Sequence, residues 1–111
     1  MMVPDVSLRA PIAVPVEIRA DARRIFRLAW NVGEDGLRLA GDLPFEPGRP
    51  IEARFQLPDG EALALRASVA SDGGDDDDDR ERPRELAFLD PPADARIALR
   101  RYVQVRLELP A

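Results

Sequence analysis

Two alternating segments joined by a tight turn constrain the fold of this chain more than any other feature. In residues 51–57 apolar side chains occupy every second position, and residues 63–69 repeat the pattern. Such alternation is typical of strands with one buried face. The intervening Pro58-Asp59-Gly60 is typical of a turn, because proline fixes φ and glycine accepts positive φ. The sequence therefore predicts an antiparallel hairpin.

Shorter segments on both sides of this hairpin predict further strands. They are residues 12–19, 25–30, 36–39 and 84–89. In the second of them, Phe26, Leu28 and Trp30 share one face, so we expect a buried strand with Trp30 in the core. Stacking of Trp30 on a base is the less favoured alternative. Phe45, in the proline-rich loop 41–50, is expected to close one end of the core.

A helix is predicted near the end of the chain. Asp90 is a suitable N-cap and Pro91 is acceptable at the first helical position, so the helix would run over about 91–103. Its apolar stripe would contain Ala95, Ala98, Leu99, Tyr102 and Val103. Apolar residues also alternate over 103–109, and the pattern leaves open whether this tail is helix, strand or an extended arm.

Together these segments predict a mainly β fold, a small six-stranded antiparallel β-barrel with one C-terminal α-helix. The chain has 111 residues, which is enough for one domain. Residues 1–11 are expected to form an extended lead-in, 12–105 the barrel and helix, and 106–111 a tail.

Composition excludes several classes of function. Cysteine and histidine are both absent, which removes thiol catalysis, disulfides, thiolate zinc sites and imidazole acid–base chemistry. We see no nucleophile–base pair, and we therefore predict no enzymatic activity and no cofactor. A net charge of −5 makes the chain a poor candidate for DNA binding. No signal peptide or membrane span is visible, so we expect a cytoplasmic location.

Five consecutive aspartates, Asp75–Asp79, lie in a polar segment over 71–83. Calcium-binding loops space their ligands and use glycine to turn, whereas contiguous like charges repel one another. We therefore predict a solvated loop here rather than a calcium site.

The order of these elements resembles the PilZ domain over roughly residues 5–105. Gly-Leu-Arg-Leu at 36–39, Leu-Arg-Ala-Ser-Val at 65–69 and Glu-Leu-Ala-Phe-Leu at 85–89 resemble strands of that family. PilZ domains typically bind cyclic di-GMP, a bacterial second messenger. They use Arg-x-x-x-Arg in the lead-in and Asp/Asn-x-Ser-x-x-Gly after the second strand. Arginine forks grip guanine edges and phosphates, and glycine lets the backbone approach the ligand.

The resemblance implies a site in which only part of each motif is present. The second motif reads Asn31-Val32-Gly33-Glu34-Asp35-Gly36, so Asn31 and Gly36 match and Gly33 lacks the serine hydroxyl. Arg9 matches the second arginine of the first motif, but Asp5 stands where the first arginine belongs. Losing one bidentate arginine should cost roughly 2–5 kcal/mol of binding.

A rival alignment places the arginine motif at Arg19 and Arg23 or at Arg23 and Arg27. Both choices would delete a strand from the barrel, so we interpret these arginines as turn and strand-face residues. We therefore expect an adaptor domain that binds cyclic di-GMP weakly or not at all and acts through a protein partner. The alternative is a functional receptor, in which Arg23 or Arg24 compensates beside Arg9 and Asn31.

Overall fold

The computed structural model describes residues 8–70 and 84–109, and this part of the chain forms seven strands and one helix. The predicted loop around Asp75–Asp79 lies outside the described residues. The elements are β1 (Ala10–Pro11), β2 (Pro15–Ala20), β3 (Arg23–Val32), β4 (Gly36–Leu39), β5 (Pro50–Gln56), β6 (Ala62–Ala70), β7 (Glu85–Phe88) and α1 (Ala93–Arg106).

Six of the strands close into an antiparallel barrel. Their order is β3-β2-β5-β6-β7-β4, and β4 pairs back with β3 to complete the circuit. The two residues of β1 add to the end of β3, where Ala10 lies opposite Val32. The predicted fold class, a six-stranded antiparallel barrel with one C-terminal helix, is thereby confirmed.

The hairpin of β5 and β6 forms as predicted. Ile51 lies opposite Ala67 and Phe55 opposite Leu63, and all four side chains are buried. The Phe55 and Phe88 rings stack with centroids 6.3 Å apart, which joins the hairpin to β7 across the core. Phe45 is also buried, as the loop sequence predicted.

The orientation predicted for β3 was wrong, because Phe26, Leu28 and Trp30 point outward and are 57%, 48% and 58% exposed. A two-residue turn joins β2 to β3 and places Ala20 opposite Arg23 and Ile18 opposite Ile25. Since Ile18 is buried, Ile25, Arg27 and Ala29 lie on its inward face. The turn thus fixes which face of β3 is inside as far as Ala29, and Phe26, Leu28 and Trp30 are left on the surface. An irregularity in the β3–β4 pairing between Ala29 and Asn31 then shifts the alternation, so that Val32 is buried.

Arg27 occupies one of the odd-numbered positions of β3. Its guanidinium donates hydrogen bonds to the backbone carbonyls of Asp42 and Phe26, each at 2.9 Å. Its Cδ atom lies close to Gly41, in the segment that follows β4. Arg27 therefore ties β3 to the loop after β4 at the place where the two strands diverge.

The predicted start of the helix was also wrong. Helix α1 begins at Ala93 with Pro92 at the N-cap, no side chain caps it, and Asp90 adopts a positive φ of 47°. Pro92 explains the shift, because a residue that precedes proline is disfavoured in the helical region and Pro91 is such a residue. At the other end the helix continues to Arg106. Residues 103–106, in the segment 103–109 whose structure the sequence left open, are therefore helical.

Helix α1 packs on the barrel through its predicted stripe. Ala95, Leu99, Tyr102 and Val103 are buried, and Leu99 is fully inaccessible to solvent. The Tyr102 hydroxyl donates a 2.8 Å hydrogen bond to the Pro11 carbonyl, which fixes the helix to β1. Within residues 8–70 and 84–109, no helix combines the length and apolar character needed to span a membrane.

Candidate functional site

The candidate site is the turn between β3 and β4 together with the lead-in strand beside it. The Gly33 amide donates to the Gly36 carbonyl at 2.9 Å and closes the turn. The Phe88 amide donates to the Asp35 carbonyl at 2.9 Å and holds the turn against β7. Because β1 pairs with the end of β3, Arg9 is carried to the same place. Arg9, Asn31 and Gly33 therefore lie together, as the resemblance implied.

The Arg9 guanidinium contacts three side-chain acceptors. It donates to Asn31 Oδ1 at 2.8 Å, to Glu85 Oε2 at 2.8 Å, and to Asp35 Oδ1 at 3.1 Å. The Arg9 side chain is 23% exposed, so these partners surround most of it. Each of the three guanidinium nitrogens thus already donates a hydrogen bond within the protein.

Glu85 links Arg9 to a second arginine. Its other oxygen, Oε1, accepts a 3.2 Å hydrogen bond from Arg38 on β4. The cluster therefore contains two guanidinium groups and two carboxylates, Asp35 and Glu85, whose formal charges cancel. A site with this balance attracts a doubly anionic dinucleotide far less than paired arginines would.

Two opposing effects act on the pKa of Arg9. Partial burial of the guanidinium lowers the pKa, whereas the hydrogen bonds and charges of Asp35 and Glu85 raise it. The result is a pKa above the ordinary arginine value. Arg9 therefore remains cationic at neutral pH, and the stability that its raised pKa contributes would be lost only as the pH rises through the arginine range.

Gly33 lies against the lead-in segment. A Cβ atom at this position would collide with the Leu8 carbonyl oxygen and would lie 3.0 Å from Arg9 Cδ. The serine of the family motif would therefore not fit unless the backbone at Leu8 moved. Gly33 thus lacks the serine hydroxyl, and the space that a side chain would need there is already filled by Leu8 and Arg9. The sequence alone did not indicate this.

Gly36 is required by strand packing. A Cβ atom there would collide with the Leu86 carbonyl oxygen on β7, since Gly36 lies opposite Ala87 in the β4–β7 pairing. Its φ is not in the left-handed region. The residue therefore serves the close approach of two strands rather than the conformation of the turn.

Arg23 and Arg24 lie at the opposite end of β3 from Asn31. Asn31 lies seven positions after Arg24, which is about 23 Å along a strand. The Arg23 guanidinium lies over the Phe45 ring at 5.5 Å, and Arg24 lies 3.8 Å from Glu17. The structure does not bring these two arginines to the candidate site.

An open groove of about 520 Å³ runs from the cluster along the outer face of β3. Arg9, Asn31, Leu28 and Trp30 are among the residues that line it. The groove thus combines polar side chains with apolar ones, on the side of the barrel where β1 meets β3.

Four contributors to the site were not predicted: Leu8, Asp35, Arg38 and Glu85. Arg38 alternates with buried Leu37 and Leu39, so its outward direction could be inferred from the sequence. Its pairing with Glu85 depends on the β4–β7 register across 47 residues of chain, for which the sequence carries no local signal. Among the described residues, no group of His, Cys, Asp or Glu side chains is arranged to hold a metal ion.

Comparisons with known proteins agree with this architecture. The structure is similar to the Bacillus subtilis inhibitor of motility MotI/DgrA, with a TM-score of 0.74 and 20% sequence identity over 96% of this chain. It is also similar to the PilZ domain of CeSA from a cellulose-synthesizing bacterium, with a TM-score of 0.63 and 17% identity over 92% of this chain.

The two solved structures differ in how much of them the match covers. The match covers 52% of MotI/DgrA, so this chain spans about half the length of that protein. It covers 97% of the CeSA domain. No curated protein matched the sequence. The family model of the PilZ domain matches residues 7–104. Since that match covers most of the sequence, the chain belongs to the PilZ domain family.

Proposed function

We propose that this chain is a PilZ adaptor domain of a bacterial cyclic di-GMP signalling system, which itself binds the dinucleotide weakly or not at all and acts through a protein partner. A cytoplasmic location is part of this proposal, as is the absence of enzymatic activity. Its family membership and its fold, which it shares with MotI/DgrA, support the signalling role.

The observation that carries the proposal is the set of acceptors around Arg9. To grip a phosphate or a guanine edge with two parallel hydrogen bonds, Arg9 would have to release Glu85, Asp35 or Asn31. The released carboxylates would then stand beside the incoming anion, and like charges in a partly buried site repel. Arg9 is the only arginine of the lead-in, because Asp5 replaces the other.

A receptor role is the second candidate, and the groove along β3 favours it. Arg9, Asn31 and Trp30 all line this groove. A nucleotide placed there could contact both polar groups and an aromatic ring.

Isothermal titration calorimetry with cyclic di-GMP separates the two candidates. We expect binding no tighter than a Kd of about 1 mM. Micromolar binding that is lost in Arg9→Ala would overturn the adaptor proposal in favour of the receptor.

The variant Glu85→Gln tests the reason for weak binding. It keeps the side-chain shape and removes one carboxylate from Arg9, so we expect the affinity for cyclic di-GMP to rise about tenfold, equivalent to about 1.4 kcal/mol. Glu52→Gln is the matched control, because Glu52 pairs with Arg54 on β5, away from the cluster. Equal affinities of the two variants would show that Glu85 does not compete with the ligand.

The exposed side of α1 is the surface that we assign to the partner. Arg96, Arg101, Ile97 and Val105 are exposed there. We expect co-precipitation from the source bacterium to recover a protein with the wild-type chain and to lose it with Arg96→Glu/Arg101→Glu. Arg54→Glu, which changes an exposed arginine on β5, should retain that protein. Recovery of the same proteins by all three chains would contradict this assignment.

A further inference from the structure

A row of charged side chains crosses the outer face of the sheet formed by β3, β2, β5 and β6. Arg24 on β3 lies opposite Arg19 on β2. Arg19 lies opposite Glu52 on β5, which in turn lies opposite Arg66 on β6. Residues directly opposite one another in antiparallel strands share a face, so these four side chains are neighbours. We call them the arginine row.

Two members of the row form a cross-strand pair of like charge. Like charges directly opposite each other destabilise an antiparallel sheet. Arg19 and Arg24 share a single carboxylate, because Glu17 Oε2 lies 3.5 Å from Arg19 Nε and 3.8 Å from Arg24 Nη1. The two arginine side chains are 43% and 61% exposed. One negative charge therefore serves two guanidinium groups that also face solvent.

The other end of the row has the same excess of positive charge. Glu52 accepts a 3.3 Å hydrogen bond from Arg54, which lies on the same strand and is also exposed. Arg66 is exposed and forms no ion pair with any residue that the structure describes. The row and its two neighbours, Glu17 and Arg54, together contain four arginines and two glutamates, which is a net charge of +2.

Exposed arginines elsewhere are either paired one to one or do not converge. Three of the other ion pairs match one carboxylate to one guanidinium: Arg49 with Asp21, Arg84 with Asp42, and Arg100 with Glu34. Arg96 and Arg101 on α1 have no carboxylate partner among the described residues. They are five positions apart, however, which turns them about 140° from each other around the helix. The arginine row thus combines excess charge with convergence on one face.

We propose that the arginine row is a docking surface for an acidic segment of a partner protein. Neighbouring strands lie about 4.8 Å apart, so Arg24 and Arg66 are separated by about 14 Å across the sheet. Side chains at positions i and i+4 of an extended peptide lie at about the same distance on one face. Carboxylates with this spacing reach both ends of the row, and each can accept two parallel hydrogen bonds from a guanidinium.

The charge of the whole chain favours a protein segment over the other anionic partners. Nucleic acids and anionic membranes present extended negative charge, and the net charge of −5 on this chain opposes their approach. A short acidic segment needs only the local excess of positive charge. Arg24 lies toward the opposite end of β3 from Asn31, so this surface adds a protein contact beyond the Arg9 cluster and α1.

Fluorescence anisotropy with a labelled peptide of about ten glutamates, which is long enough to span the row, tests the proposal on the wild-type chain. We expect a Kd below about 1 mM at an ionic strength of about 0.02 M, weakened at least about tenfold at about 0.2 M. Absence of binding at the lower ionic strength would overturn the proposal. Tighter binding of a single-stranded oligonucleotide or of phosphatidylglycerol vesicles than of the peptide would overturn the assignment to a protein.

Neutralising substitutions test the location. Arg24→Gln/Arg66→Gln should weaken peptide binding by about tenfold or more, because it removes the local excess of charge. Arg96→Gln/Arg101→Gln makes the same change of charge on α1 and should stay within about twofold of the wild type. All four side chains are exposed, so both variants should melt like the wild type. Equal losses in the two variants would overturn the assignment to the row.

Nuclear magnetic resonance of the wild-type chain locates the contact without any substitution. In ¹H–¹⁵N spectra the peptide should shift the amide signals of Arg19, Arg24 and Arg66 most strongly. Largest shifts on α1 would contradict the proposal. These measurements use neither cyclic di-GMP nor the partner assigned to α1, so this proposal can fail while the proposed function stands.

Discussion

Replacing Gly36 with alanine is expected to lower the free energy of unfolding by about 3 kcal/mol, near the upper end of the usual cost of overpacking. The added methyl group would collide with the Leu86 carbonyl oxygen. That carbonyl is part of the backbone of β7 and cannot rotate away as a side chain can. The β4–β7 pairing would have to separate, and with it one wall of the barrel.

Urea unfolding of Gly36→Ala measures this cost, and Gly41→Ala is its matched control. A Cβ atom at Gly41 would meet only side-chain atoms of Arg27, the nearest at 3.1 Å, and these can move. We expect a cost below about 1 kcal/mol for the control. If the two variants were equally stable, the close approach of β4 and β7 at Gly36 would not be a packing constraint.

Replacing Leu99 with alanine is expected to destabilise the protein by about 3 kcal/mol, within the range of about 2–5 kcal/mol for leucine in a packed core. Leu99 is fully buried between α1 and the barrel. Its removal leaves a cavity under the helix. Because Tyr102 bonds to Pro11, loosening the helix would also loosen the strand that carries Arg9 into the site.

Ile97→Ala is the control for this substitution, since Ile97 is an aliphatic residue of the same helix and is 51% exposed. Alanine favours the helical conformation, so the control should change the stability by less than about 0.5 kcal/mol. A Leu99→Ala variant as stable as Ile97→Ala would show that the helix contributes little to the barrel.

Local patterns were sufficient to predict most of the fold, and they failed in β3, where the pairing register with β2 decided which face is buried. The β5–β6 hairpin carries both its alternation and its turn in nineteen consecutive residues, 51–69. In β3 both faces contain apolar side chains, so composition could not show which face is buried. The two-residue turn after Ala20 decides it, because it sets Ile25 beside Ile18.

In the candidate site, the residues of the two sequence motifs could be predicted, whereas a contact from a distant strand could not. The adjacency of Asn31, Gly33 and Gly36 is local, and Arg9 follows from the lead-in that runs beside them. The acceptor that most alters the chemistry, Glu85, comes from 76 residues beyond Arg9 in the sequence. Alternation placed Glu85 next to an inward leucine, Leu86, but nothing local to it identified which arginine it would meet.

Arg27 has a consequence for how copies of this protein can meet. Strand β4 pairs with only the last four residues of β3, and in the described part of the chain no strand pairs with that side of β3 from Arg23 to Phe26. Such an edge can recruit a strand from another molecule, which leads to aggregation. The Arg27 guanidinium occupies the Phe26 carbonyl that an incoming strand would use as an acceptor. Edge-to-edge growth is thereby disfavoured.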